Sequence, residues 1–282
     1  MSQWLTAHEP AVRLTAFASV LLLLASWEQL SPRRLPRLPK ARRWLAHLSL
    51  AGLDTLLLRL LFPAAAVGAA RFAAQRGWGL LELLELPELL AIAISIVLLD
   101  LGIYLQHVMF HALPLLWRVH RVHHADLDFD ASTGLRFHPL EILISMSIKL
   151  ALVLLIGAPA FAVLLFELLL NATSMFNHGN VRLPLRADRL LRWVLVTPDM
   201  HRVHHSIVPS ETNCNFGFSL PWWDRLFGTY RAQPRGGHEA MPIGLRQYQQ
   251  PVPRGLLWML RLPWQPDAAP GAPSRAGRTA GG

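Results

Sequence analysis

Cysteine is all but missing from this chain: Cys214 is the only one among 282 residues. A single thiol excludes an internal disulfide framework and any zinc ribbon built from paired cysteines. A metal site here therefore has to use nitrogen and oxygen donors. Charged residues are also sparse, at 16% of the sequence. No GxGxxG stretch is present, so that cradle for a nicotinamide or flavin cofactor is absent as well. Acids are outnumbered by bases, 18 against 27, for a formal charge of +9. Such an excess points to nucleic acid in some proteins. Here many of the cations flank apolar segments, the positive-inside pattern of a membrane protein, and no nucleic-acid partner is expected.

What the chain has in quantity is apolar sequence, 52% of residues with a mean hydropathy of +0.31. It lies in runs approaching the roughly 20 residues that cross a bilayer. Residues 14–30 read as a membrane helix rather than a cleaved leader. The loop that follows carries Arg33, Arg34, Arg37, Lys40, Arg42 and Arg43 without one acid, which places it in the cytoplasm and the N-terminus outside. A second membrane stretch, 44–72, holds Asp54, Arg59 and a kinking Pro63. Blocks of Leu and Glu over 77–88 suggest a short interfacial helix on the outer side. Residues 89–105 cross back inward, and the helix continues into His107 and His111. The apolar stretch 142–176, interrupted at 157–159, is too short for two full straight crossings and predicts a hairpin dipping into the bilayer. The expected fold is an all-α membrane protein with about four transmembrane or hairpin helices and a cytoplasmic histidine-rich cap. Its parts are N-terminal helices (1–106), a histidine-rich catalytic region (107–232) and a C-terminal cytoplasmic tail (233–282). The tail holds an interfacial helix near 254–264 and a disordered end from residue 267.

Ten of the 13 histidines fall between His107 and His205. HxxxH (His107, His111) is followed by HxxHH at His120, His123 and His124, and the triplet recurs at His201, His204 and His205. Between them stand His138 and His178. Residues three and four apart share a helix face, so each cluster points two or three imidazoles at one spot. Imidazole suits iron, zinc and copper, and eight or more rings suggest two ions. Asp100 lies on the same stripe as Tyr104, His107 and His111. It either orients a ligand by accepting its second N–H or pairs with Arg59 on the neighbouring helix. Asp126, Asp128 and Asp130 read as a solvated turn, one of them within reach of the site. A metal transporter would line its pore with polar groups, whereas these triplets lie outside the apolar runs. A zinc hydrolase needs only about three protein ligands. Two irons per chain, one zinc, or rapidly exchanging metal would separate oxygenase, hydrolase and transporter.

These boxes, together with RFHPLE at 136–141, NHGN at 177–180 and WDRLFGT at 223–229, resemble the fatty acid hydroxylase/sterol desaturase superfamily from about residue 100 to 229. The resemblance implies a membrane-embedded helical fold holding a dimetal centre, two iron ions, with O2 as co-substrate. It implies hydroxylation of a lipid C–H bond, with desaturation by the same centre as the alternative. By position, His107, His111, His120, His123, His124, His178, His201, His204 and His205 become ligands. Ser174 stands four before His178, where some relatives carry another histidine, and His138 is the candidate tenth ligand. Asp100, Glu141, Asp199, Asp224 and Asn215 are the expected supporting groups around the ligands. Electrons come from a separate protein, a ferredoxin or cytochrome b5-like donor, with Arg121 and Arg202 among the cations that would dock it.

Overall fold

A computed structural model describes residues 2–266; the end of the tail, expected to be disordered, lies outside the described residues. Those residues form no strand, only two isolated bridges, Pro32 with Val181 and Ser206 with Ile243. The longer helices are α1 (Glu9–Leu30), α2 (Lys40–Leu61), α3 (Ala65–Arg76), α4 (Glu88–Ala112), α5 (Pro114–His124), α6 (Pro139–Ile156) and α7 (Ala160–Asn177). Short helices follow: α8 (Leu185–Leu191), α9 (Pro198–His204), α10 (Trp222–Leu226) and α11 (Leu256–Arg261). Five helical stretches are long and apolar enough to cross a membrane: α1, the α2–α3 region, α4, α6 and α7. The sequence reading expected about four and only a dip at the hairpin. Both arms begin or end beyond 142–176, and each reaches 18 residues.

Proline and glycine set the breaks. Pro63 removes a backbone donor and ends α2 at Leu61. Pro114 sits at the first position of α5, where a missing N–H costs nothing. Only extended Leu113 separates α4 from α5, so the two helices fold back on each other. Gly157 ends α6 with a φ of +69°, and the loop at Trp78 and Gly79 lies directly against it. A Cβ on Gly157 would stand 2.8 Å from the Trp78 carbonyl oxygen.

The apolar core runs through the bundle, with Leu99 and Ile103 of α4, Val153 and Ile156 of α6, and Val163 and Phe166 of α7. Large leucines such as Leu22, Leu60, Leu89 and Leu155 face outward, as surfaces bathed in lipid would. One acid within these helices gathers two cations: Glu167 of α7 takes Arg13 of α1 at 2.5 Å and Lys149 of α6 at 2.6 Å.

The acidic turn after α5 is not solvated. Asp126, Asp128 and Asp130 are buried because Arg43 of α2 reaches into them, 2.6 Å from Asp126 and 2.7 Å from Asp130. Asp128 instead accepts from the Arg37 and Leu38 amides. This clamp fixes the basic loop against the exit of α5. The C-terminal segment straps α5 from the other side, where Arg118 and Arg121 donate to the carbonyls of Pro263 and Leu262, each at 2.7 Å.

Candidate metal centre

Nine histidines converge in two adjacent groups. His107, His111, His120, His124 and His204 form one, and His123, His178, His201 and His205 the other. Each group offers one nitrogen per ring, all within 4.8 Å of one another. Neither HxxHH box makes a site of its own. At 100° per residue, His120 and His124 point about 40° apart while His123 swings to the other side, so α5 feeds both groups. The second box divides the opposite way, with His201 and His205 in the group of four and His204 in the group of five.

Several Nε2 atoms meet without a proton donor or acceptor of another kind between them. His123 and His178 are 3.0 Å apart, and His178 and His205 are 3.2 Å apart. In the larger group His107–His120, His111–His124 and His120–His124 are each 3.2 Å apart. Metal–nitrogen bonds of about 2.1 Å separate neighbouring ligands by about 3.0 Å in an octahedron and about 3.4 Å in a tetrahedron. The spacings fall within that interval. His204 Nε2 and His201 Nε2 are buried without a hydrogen-bond partner, and a metal ion would satisfy them. The donor set therefore fits two ions.

Charge agrees with geometry. Burial, then the neighbouring imidazoles, hold His123, His124, His201, His204 and His205 far below the ordinary histidine range. Burial also lowers His178, to about 4. These rings are neutral, as ligation requires.

The far sides of five of the nine rings are held by an outer layer of acceptors. Glu141, at the start of α6, accepts from His120 Nδ1 at 2.6 Å. The Ser174 carbonyl accepts from His178 Nδ1 at 2.6 Å, while the Ser174 hydroxyl binds Gly134 O. One short segment supplies most of the others. The Asn213 side chain meets His111 Nδ1 at 3.2 Å, Cys214 O accepts from His204 at 2.8 Å, and Phe216 O accepts from His107 at 2.7 Å. Asn215 sits between them with a φ of +53°. Its side chain is spent on Met200 O and on Arg231, not on a ligand. Asp224 fixes the same segment by accepting from the Phe216 and Gly217 amides. Glycine is required there, since a Cβ at 217 would stand 2.7 Å from Asp224 Oδ2.

Four expected placements need correction. His138 lies outside both groups: its ring caps α6 by accepting from the Leu140 amide at 3.2 Å, because Pro139 opens that helix. Asp100 neither orients His107 nor meets Arg59. It accepts from Trp223 Nε1 at 2.8 Å and the Leu220 amide at 3.3 Å, while His107 uses Phe216 O. Asp199 pairs with Arg202 and Arg33 rather than with a ligand. Arg121 and Arg202 are fully buried and offer no docking surface. Arg202 lies 5.0 Å over the ring of Phe129, which packs on His178 and His205.

Sequence comparison bears on what such a centre belongs to. Residues 92–229, which carry all nine convergent histidines, match the fatty acid hydroxylase family. Over that stretch, just under half of the chain, the sequence is of the fatty acid hydroxylase type. It is 32% identical over 150 residues to the ornithine lipid hydroxylase of Rhizobium tropici, covering 53% of this chain and 44% of the relative. Human alkylglycerol monooxygenase is 32% identical over 139 residues, 48% of this chain and 29% of that protein. Human cholesterol 25-hydroxylase is 28% identical over 152 residues, 52% and 55% respectively. The matches thus span about half or less of these relatives. No solved structure matches the chain.

Proposed function

We propose that this protein is a multi-pass membrane oxygenase that hydroxylates a C–H bond of a lipid, using O2, two irons and electrons from a separate donor protein. The observation that carries the reading is the pairing of five and four imidazoles in adjacent groups beneath the apolar bundle. The relatives, named as hydroxylases or monooxygenases of ornithine lipid, alkylglycerol and cholesterol, support it. Bound iron would supply the oxidising power that an unactivated C–H bond demands and that no side chain here has. In balance, one atom of O2 enters the C–H bond. The other leaves as water, with two electrons and two protons delivered from outside.

The chain's own residues prepare that chemistry. Glu141 and the carbonyls of Ser174, Cys214 and Phe216 hold the Nδ1 protons of His120, His178, His204 and His107, leaving each Nε2 lone pair free for a metal. Phe137 stacks on His123 at 4.5 Å, and Phe218 stands within 6.4 Å of His107, His178 and His201. Phe218 also belongs to the core of the membrane bundle. These two rings exclude water and mark the side from which a lipid chain would approach. The cation-rich loop 33–43, clamped to the acidic turn beside the histidines, supports a cytoplasmic position for the centre.

Metal analysis of the purified protein and lipid mass spectrometry of cells expressing it, against a His204→Ala control, test the reading. Two irons per chain and a lipid heavier by one oxygen are expected. Loss of two hydrogens would make it a desaturase, and one zinc without any new oxygenated lipid would overturn the oxygenase.

A further inference from the structure

A second membrane contact stands outside the five long helices. The helix α8 and the residues after it pack against α10: Trp222 Nε1 donates to Trp193 O at 2.7 Å, and Arg225 donates to Arg192 O at 2.8 Å. The pair then turns Leu190, Trp193, Val194, Trp222, Leu226 and Phe227 outward, each 44–70% exposed. Neither segment is long enough to cross a bilayer, and six exposed large apolar side chains on one packed pair of segments are more than water normally bathes.

The depth of this face can be read on two independent rulers. Gly79, nine residues before α4, lies against Gly157, three residues before α7, so both helices start from the same side of the bundle. Trp223 and Leu220 are bonded to Asp100, twelve residues into α4, or about 18 Å along it. Ser219 is bonded to Thr173 at 3.0 Å, thirteen residues into α7, or about 20 Å. A hydrocarbon layer of about 30 Å starting from that side ends about 10 Å beyond both marks. Residues 219–223 therefore sit at lipid depth on the histidine side. Trp223 packs with Tyr104 and Phe216, with Val97 and Leu101 of α4 alongside, so nothing separates this segment from the membrane helix.

We propose that α10 and the 190–194 segment form a monotopic platform buried in the leaflet on the histidine side, its occupant being lipid rather than a protein partner. The side chains suit an interface. Trp193 and Trp222 are the residue type of aromatic belts, and Arg225 lies 4.4 Å over the Trp193 ring and 4.2 Å over Tyr230. Exposed Arg186 and Arg189 of α8 supply cations for lipid phosphates. The platform needs the membrane reading of α4 and α7 but not the oxygenase chemistry. It is also tied to the metal ligands, because Asp224 of α10 holds the Phe216 amide while the Phe216 carbonyl takes the His107 proton.

Nitroxide labels on full-length protein in phosphatidylcholine/phosphatidylglycerol nanodiscs test this, through collision with oxygen, which concentrates in lipid, and with a water-soluble nickel chelate. Leu190→Cys and Leu226→Cys are the probes, with Leu22→Cys on the outside of α1 as lipid reference and Ser210→Cys as aqueous reference. Native Cys214 stays, since burial pushes its thiol up to about 12 and leaves little thiolate to label. The expected result is a shift of both probes to the oxygen-rich, nickel-poor accessibility of Leu22. Nickel accessibility like that of Ser210 would overturn the platform. So would low collision with both reagents, the signature of a protein partner. A Leu22 label found in water would show instead that the membrane reading itself is wrong.

Discussion

Glu141 accepts a 2.6 Å hydrogen bond from His120 Nδ1. A carboxylate can only accept in such a contact, so the proton stays on Nδ1 and the Nε2 lone pair faces the other histidines. Glu141→Gln keeps the shape but removes the charge, and Glu141→Leu removes the acceptor. Metal affinity should fall by about 10–100-fold in the leucine variant and by less in the glutamine variant. Competition with a chelator measures it; equal affinity in all three proteins would mean that Glu141 does not orient the ring.

His138 gives the contrasting case. As a cap of α6 rather than a ligand, its replacement by alanine should leave bound metal per chain unchanged. The loss should appear in stability, at about 1 kcal/mol, the usual worth of an N-cap side chain. His123→Ala and His205→Ala should each lower metal content. A His138→Ala protein as metal-poor as these would return His138 to the ligand set.

Asp100 now has a defined role as acceptor for Trp223. Asp100→Leu strands both the indole N–H and the Leu220 amide, at about 1–3 kcal/mol for each buried donor left unpaired. Its melting temperature should drop, and Arg59→Leu in the same chain should not restore it, since Arg59 is exposed and takes no part. Rescue by the second substitution would revive the ion pair expected from spacing.

The Arg43 clamp makes a prediction about acid. Burial pushes Asp130 up, but Arg43 and Ser132 outweigh it and hold the carboxyl below its ordinary range. A depressed pKa contributes stability that is complete above the ordinary value near 3.8 and drains away as the pH falls below it. Arg43→Met should cost about 3–5 kcal/mol by stranding buried carboxylates. With Arg43 gone, burial raises the carboxyl pKa instead, so melting curves across the acid range should show the gap to the parent narrowing as the pH falls. Unchanged pH dependence would count against the clamp.

The sequence exposed those features whose signal is local. Histidine spacing, the proline breaks and the turn at 157–159 are short-range patterns, and the structure brings nine of the ten proposed ligands together. His138 was also legible locally, because a residue directly before a helix-opening proline is placed to cap. Arg121 and Arg202 stand inside the triplets, a position that argued for burial. The acidic turn was misread because its partner, Arg43, lies more than 80 residues away and no spacing links them. The carbonyls of Cys214 and Phe216 leave no trace in side-chain identity at all, since every residue carries the same acceptor.

Each HxxHH helix gives one or two rings to each histidine group, so the two groups share rigid shafts. Fixing α5 so that His120 and His124 face one group also fixes where His123 stands in the other, and α9 behaves likewise. A half-filled protein would hold one ion on a framework whose remaining ligands are already aimed at an empty position. Occupancy of the first position thus prepares the second, and loading should proceed as a concerted step, with forms bearing a single ion scarce during titration.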